Sequence, residues 1–164
     1  MAAPINSADR FIRLGDDVAN KQYRGILHFD TSSLPDNAVI TSVKVKVKQD
    51  SIVGTNPFAT HGNLVVDIQK PYFGTTASLT ANDFQAASGQ AGIAIFDSTP
   101  VSSWYTANLD IVGFPYINLT STTQFRLAFT LDDNNDFGAD YMSFFSGDDM
   151  VANRPQLIIE YYVP

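Results

Sequence analysis

The chain has 164 residues, a formal net charge of −7, 45% hydrophobic residues and 16% charged ones. That length suits a single domain with a core of its own, and that balance excludes a mainly disordered chain. Cysteine is absent, which excludes disulfides, thiolate zinc sites, iron–sulfur clusters and a cysteine nucleophile.

The acidic balance carries no Lys/Arg cluster, so nucleic acid is not an expected partner. No apolar run reaches the ~18–20 residues of a membrane span, so no membrane insertion is expected. Of the acids, all but Glu160 are Asp. Asp, Asn, Ser and Thr are common while Glu, Lys and Arg are scarce, a mix that favours turns and strands over helix.

Residues 1–8 lack the charge and the apolar stretch of a signal peptide and read as a tail. Residues 9–164 read as one domain, because no linker-like composition divides them. Phe11–Leu14 and Tyr23–Phe29 are weak strand candidates, with turn signals at Leu14-Gly15-Asp16-Asp17 and Ser33-Leu34-Pro35-Asp36-Asn37. Residues 40–48 give the clearest strand: Val43, Val45 and Val47 alternate with Lys44, Lys46 and Lys48.

After a turn at Gly54-Thr55-Asn56-Pro57, Leu64, Val66 and Ile68 share one face. Thr80 to Ala87 has a capping residue and helix formers, so a short helix is expected there. Ile93–Phe96 and Trp104–Leu109 follow as weaker strands. Asp110–Tyr116 is a second short helix, kept irregular by Gly113 and Pro115. In 124–131, Phe125, Leu127, Phe129 and Leu131 oppose Arg126 and Thr130. Tyr141–Phe145 is another weak strand. In 157–163, Leu157, Ile159, Tyr161 and Val163 oppose Glu160 and Tyr162. Eight or nine short strands with no long helix predict an all-β fold, an antiparallel β-sandwich of jelly-roll type.

Two stretches carry a family resemblance. One is Tyr23-Arg24-Gly25-Ile26-Leu27-His28-Phe29-Asp30 with Ser33-Leu34-Pro35-Asp36-Asn37-Ala38. The other is Ser143-Phe144-Phe145-Ser146-Gly147, followed by Asn153-Arg154-Pro155-Gln156-Leu157. Together they resemble the DNRLRE, or disaggregatase-related, domain, a group that overlaps carbohydrate-binding module family 96. Trp104-Tyr105-Thr106-Ala107-Asn108-Leu109 loosely matches the middle element of that family. The sequence departs from the pattern where the family's acid after Ser146 is displaced to Asp148-Asp149.

The resemblance implies a jelly roll joined to other domains of a larger secreted enzyme or adhesin, at an extracellular or cell-surface location. It implies a polysaccharide as partner and no catalysis. Consistent with that, the sequence holds no G-x-S-x-G, H-E-x-x-H or paired-Glu motif.

Candidate sites follow from chemistry. Tyr72, Phe73, Trp104 and Tyr105 offer rings for sugar stacking, although large aromatics in a sandwich are more often core, and Trp104 is weighed toward the core. Asp132, Asp133, Asn135, Asp136 and Asp140 supply oxygens suited to a structural calcium, or else form a solvated hairpin loop. Asp16, Asp17 and Asn20 are a second calcium candidate. Lys44, Lys46 and Lys48 would meet an anionic polysaccharide, or simply guard a wet edge.

An intramolecular Lys–Asn or Lys–Asp isopeptide bond needs an apposed lysine and a buried acid. Glu160 and the lysines of 40–48 make it conceivable, and the outward phase of those lysines argues against it. An alternative to sugar binding is a structural or assembly domain, which would present an apolar patch or an open strand edge.

Overall fold

The computed structural model describes residues 5–164. The tail expected at 1–8 therefore lies partly outside the described residues. Ten strands form: β1 (Phe11–Asp16), β2 (Gln22–Tyr23), β3 (Gly25–Asp30), β4 (Val39–Val53), β5 (Leu64–Gln69), β6 (Gln90–Ile95), β7 (Trp104–Asn108), β8 (Thr122–Phe129), β9 (Asp140–Phe145) and β10 (Gln156–Tyr162). One short helix, α1 (Pro57–Thr60), precedes β5. The helix expected from Thr80 shortens to a 3-10 turn at Ala81–Phe84, and the second is a 3-10 turn at Ile111–Tyr116.

The strands make two antiparallel sheets. One runs β10–β4–β9–β1–β2, with β7 also paired to β4; the other runs β3–β8–β5–β6. The chain is thus a β-sandwich.

β4 is longer than the alternation from 40 to 48 announces, because it takes partners in succession. Its first part pairs with β10, Tyr162↔Val39 through Gln156↔Lys46. Its middle pairs with β7, from Lys44↔Asn108 to Lys48↔Trp104. Its end pairs with β9, from Gln49↔Phe144 to Val53↔Tyr141.

Period-two patterning puts the core where the sequence places it. Val43, Val45, Val47, Leu64, Val66, Ile68, Phe125, Leu127 and Phe129 are all buried between the sheets. Two departures have clear causes. Leu131 lies beyond the end of β8 and is exposed. In β10, the register shifts between Glu160 and Tyr161, and Tyr161 is exposed while Leu157 and Ile159 still pack on the core; Val163 lies beyond the strand and is exposed.

Gly15 lets β1 pass β9 closely. Its φ is +127°, and a side chain there would run into the backbone carbonyl of Asp140. Gly15→Ala is expected to lower unfolding stability by about 2–4 kcal/mol, from strain plus collision, as read by urea denaturation at unchanged m-value.

Candidate ligand cleft

The outer face of the four-stranded sheet is not wet, contrary to the alternation of β8. β8 buries Gln124 and Arg126 as well as its core-facing side chains. The cover is the excursion from Lys70 to Gly89, between β5 and β6, which folds back over the sheet. Arg126 holds it down. Its Nη2 and Nε donate to Asp67 Oδ2 at 2.7 and 3.2 Å. Its Nη1 donates to the carbonyls of Ala86 and Asp83 at 2.7 and 3.1 Å. Its guanidinium lies 4.6 Å from the centre of the Phe73 ring.

Gln124 is the second clip. Its Oε1 accepts from Phe73 N at 2.7 Å, and its Nε2 lies 3.0 Å from His28 Nδ1. Within the excursion, Asp83 closes the 3-10 turn by accepting from Thr80 N at 2.7 Å and from Thr80 Oγ1 at 3.1 Å.

Pinning the excursion away from the edge strand β3 leaves a cleft of about 730 Å³. Its walls include Arg13, Tyr23, Arg24, His28, Leu79 and Phe84. Arg24 is the central polar group. It stacks 4.2 Å from the Phe84 ring centre, donates from Nη1 to Phe84 O at 2.6 Å and from Nε to Gln22 Oε1 at 2.7 Å. Burial, and then the neighbouring Arg126 charge, hold its guanidinium below the usual arginine range. Beyond Arg24 lies a second hollow of about 430 Å³, bordered by Gln22, Asn82, Gln85 and Asp132. Burial and the nearby Asp17 push the Tyr23 phenol up, so it stays protonated and able to donate.

The aromatic residues singled out in the sequence do not converge here. Phe73 is fully buried beneath Arg126, and Tyr105 is buried in the core, stacked on Phe58 at 5.5 Å with its hydroxyl donating to Gln49 Oε1. Neither can present a ring face to a sugar, which corrects that expectation for both. Tyr72 is half-buried, outside the cleft. Trp104 is on the outer face of the other sheet, half-buried, with Lys46 Nζ 5.1 Å and Lys48 Nζ 6.0 Å from its ring. That corrects the weighing of Trp104 toward the core.

The acidic loop spends its oxygens on its own backbone. Asp133 Oδ1 accepts from Asn135 N at 3.1 Å, and Asp136 Oδ1 from Gly138 N at 2.6 Å. Asp140 Oδ1 accepts from Thr55 N at 2.6 Å, and its Oδ2 from Asn134 Nδ2 at 3.1 Å. Asp132 stands apart at the second hollow. Among the described residues no three carboxylate or imidazole groups converge as metal ligands. In this arrangement Asp133, Asp136 and Asp140 each use at least one carboxylate oxygen to hold the hairpin loop.

The second candidate disperses in the same way. Asn20 Oδ1 accepts from Phe137 N at 3.1 Å, and Asp17 Oδ1 caps Ala19 N and Lys21 N. Asp16 is fully buried with its Oδ2 3.4 Å from Nε2 of an equally buried His61. Thr60 Oγ1 lies 2.7 Å from His61 Nδ1, while His61 Nε2 and Asp16 Oδ2 face each other without a hydrogen bond. With imidazole and carboxylate both sealed from solvent, the pair is a fixture of the core.

No protein-family model matches the sequence, and no curated protein matches it. Among the described residues no helix is long and apolar enough to cross a membrane.

The cleft residues were partly legible. Ile26 and His28 alternate with Gly25, Leu27 and Phe29, which places them on the outer face of β3, and Arg24 immediately precedes the strand in the same phase. The excursion that makes that face concave carries no periodic signal. Arg126→Met is expected to cost about 3 kcal/mol, since it removes the charge partner of Asp67 and the donors to the carbonyls of Asp83 and Ala86. Hydrogen exchange should quicken specifically across residues 73–89; uniform exchange would show that the excursion holds without Arg126.

Proposed function

We propose that this domain is a non-catalytic carbohydrate-binding module of an extracellular or cell-surface protein, with a polysaccharide as ligand and the cleft beside β3 as its groove. One observation carries the reading. The cleft is lined by the apolar side chains of Tyr23, Leu79 and Phe84, the last stacked under the Arg24 guanidinium, together with Arg13. A pyranose has the same two surfaces, an apolar ring face and a rim of hydroxyls, and such pockets bind by shape and a few fixed polar contacts. The resemblance to the DNRLRE domain and carbohydrate-binding module family 96 supports the same class, and the strand order supports a jelly roll. Calcium has no part in the proposal.

The test is calorimetric titration of the domain with neutral and anionic polysaccharides. Saturable binding to one glycan class is expected. Tyr23→Ala and Arg24→Ala should each weaken it tenfold or more, about 1.4 kcal/mol, while Trp104→Ala changes it less than twofold. Binding lost only in Trp104→Ala, or no saturable binding to any glycan, would overturn the assignment.

A second reading, an assembly domain, has its own support. β10 pairs only with β4 among the described residues, so its other edge is open, and Ile158, Tyr161 and Tyr162 beside it are exposed. An open apolar edge is a template for another strand. On that reading, light scattering would detect concentration-dependent association, and Ile158→Lys would abolish it. A monodisperse monomer across the concentration range would exclude it.

A further inference from the structure

Lys48 is the last lysine of the β4 row, and it sits at a break in the neighbouring strands. β10 pairs with β4 as far as Lys46, and β9 begins at Gln49. Between β9 and β10 the chain leaves the sheet over residues 146–155 and returns through a 3-10 turn at Val151–Asn153. That turn brings Asn153 onto Lys48. Lys48 Nζ donates to Asn153 Oδ1 at 2.7 Å. The other half of the Asn153 amide, Nδ2, donates to Asp149 Oδ2 at 3.0 Å. Asn153 and Asp149 are both buried. The rings of Trp104 and Phe145 flank Lys48 Nζ, each 6.0 Å from it.

A lysine amine, a carboxamide and a carboxylate in hydrogen-bonded sequence are the three parts of an amide exchange. We propose that Lys48 and Asn153 form an intramolecular isopeptide bond, with Asp149 as the proton carrier. Lys48, having given one proton to solvent, attacks Asn153 Cγ through the lone pair on Nζ. The Nζ–Cγ bond forms and the Cγ–Nδ2 bond breaks. Asp149 takes the proton from the attacking nitrogen and hands it to Nδ2, which leaves as ammonia. One amine and one primary amide become one secondary amide and ammonia, with no change in oxidation state.

The surroundings suit this sequence of steps. Arg10 Nη2 donates to Asp149 Oδ1 at 2.7 Å, and with Asn153 it holds the carboxyl below the usual range. Asp149 is therefore a carboxylate, an empty acceptor that can pass a proton on to Nδ2 without retaining it. The Asn153 side chain is fixed at both ends, at Oδ1 by Lys48 and at Nδ2 by Asp149, which keeps its amide within hydrogen-bond distance of Nζ. The phase of β4 is outward, as the sequence indicates, yet the 146–155 excursion covers the lysine. The acid is Asp149 and not Glu160, which lies out on β10 facing Ser42.

Intact mass spectrometry of the full chain tests the proposal. The native protein should be lighter than its sequence by one ammonia, and a digest should contain a branched peptide joining Lys48 to Asn153. Lys48→Arg and Asn153→Ala should restore the full sequence mass, and Asp149→Ala should leave most of the protein unlinked. A native protein at its full sequence mass would overturn the inference even if every variant failed to fold. So would an ammonia loss that persists in Lys48→Arg, because that reports ring closure of an asparagine on its own backbone.

Discussion

Burying one guanidinium on the outside of a sheet is the constraint around which the site is arranged. Arg126 lies on the face of β8 that a two-layer sandwich ordinarily leaves to water. Once there, it needs partners for its donors and cover for its plane. Asp67 on the neighbouring strand supplies the charge, Phe73 the ring, and the carbonyls of Asp83 and Ala86 the remaining acceptors. These partners come from one excursion of the chain and from β5, so satisfying Arg126 also fixes the excursion. The cleft is the space left between that pinned segment and β3. Arg24, a second arginine close enough to be perturbed by the first, is in turn committed to Phe84. The groove is thus a by-product of hydrogen-bond satisfaction one layer below it.

How much of this the sequence displays depends on range. The valines of β4 and the alternating residues of β5 and β8 announce their faces, because a strand's period is local and the core reads it directly. The end of β4 is less legible: residues 49–53 are strand because β9 lies beside them, and that partner is some ninety residues further on. Arg126 stands opposite the apolar face of β8, and its burial is hidden for the same reason. Its polarity is visible, and the segment that buries it is not.

The aromatics show the limit most clearly. Phe73 and Tyr105 have the composition of a sugar platform, but one lies under a guanidinium and the other against Phe58 and Phe144. The acidic loop has the composition of a cation site, but Asp and Asn also cap backbone amides within two residues. That short-range use takes the oxygens. Tyr23 and Arg24 carry no distinguishing pattern beyond their phase, and only a distant excursion turns them into the wall of a cleft.

The pairing order has a further consequence, one of time. β1 finds its long partner in β9, and β3 finds its partner in β8. β4 waits for β7, β9 and β10. During synthesis the first third of the chain therefore waits for β7, at residues 104–108, and for most of its other partners until the last third has emerged. Of the early strands, only β1 and β2 can meet across a short turn. A topology so dominated by distant partners folds slowly, on the order of milliseconds to seconds, because the entropy of closing large loops is spent before any sheet repays it. Until then the valine-rich length of β4 stands as an unpartnered ribbon. The lysines that alternate along it keep that ribbon soluble while it waits.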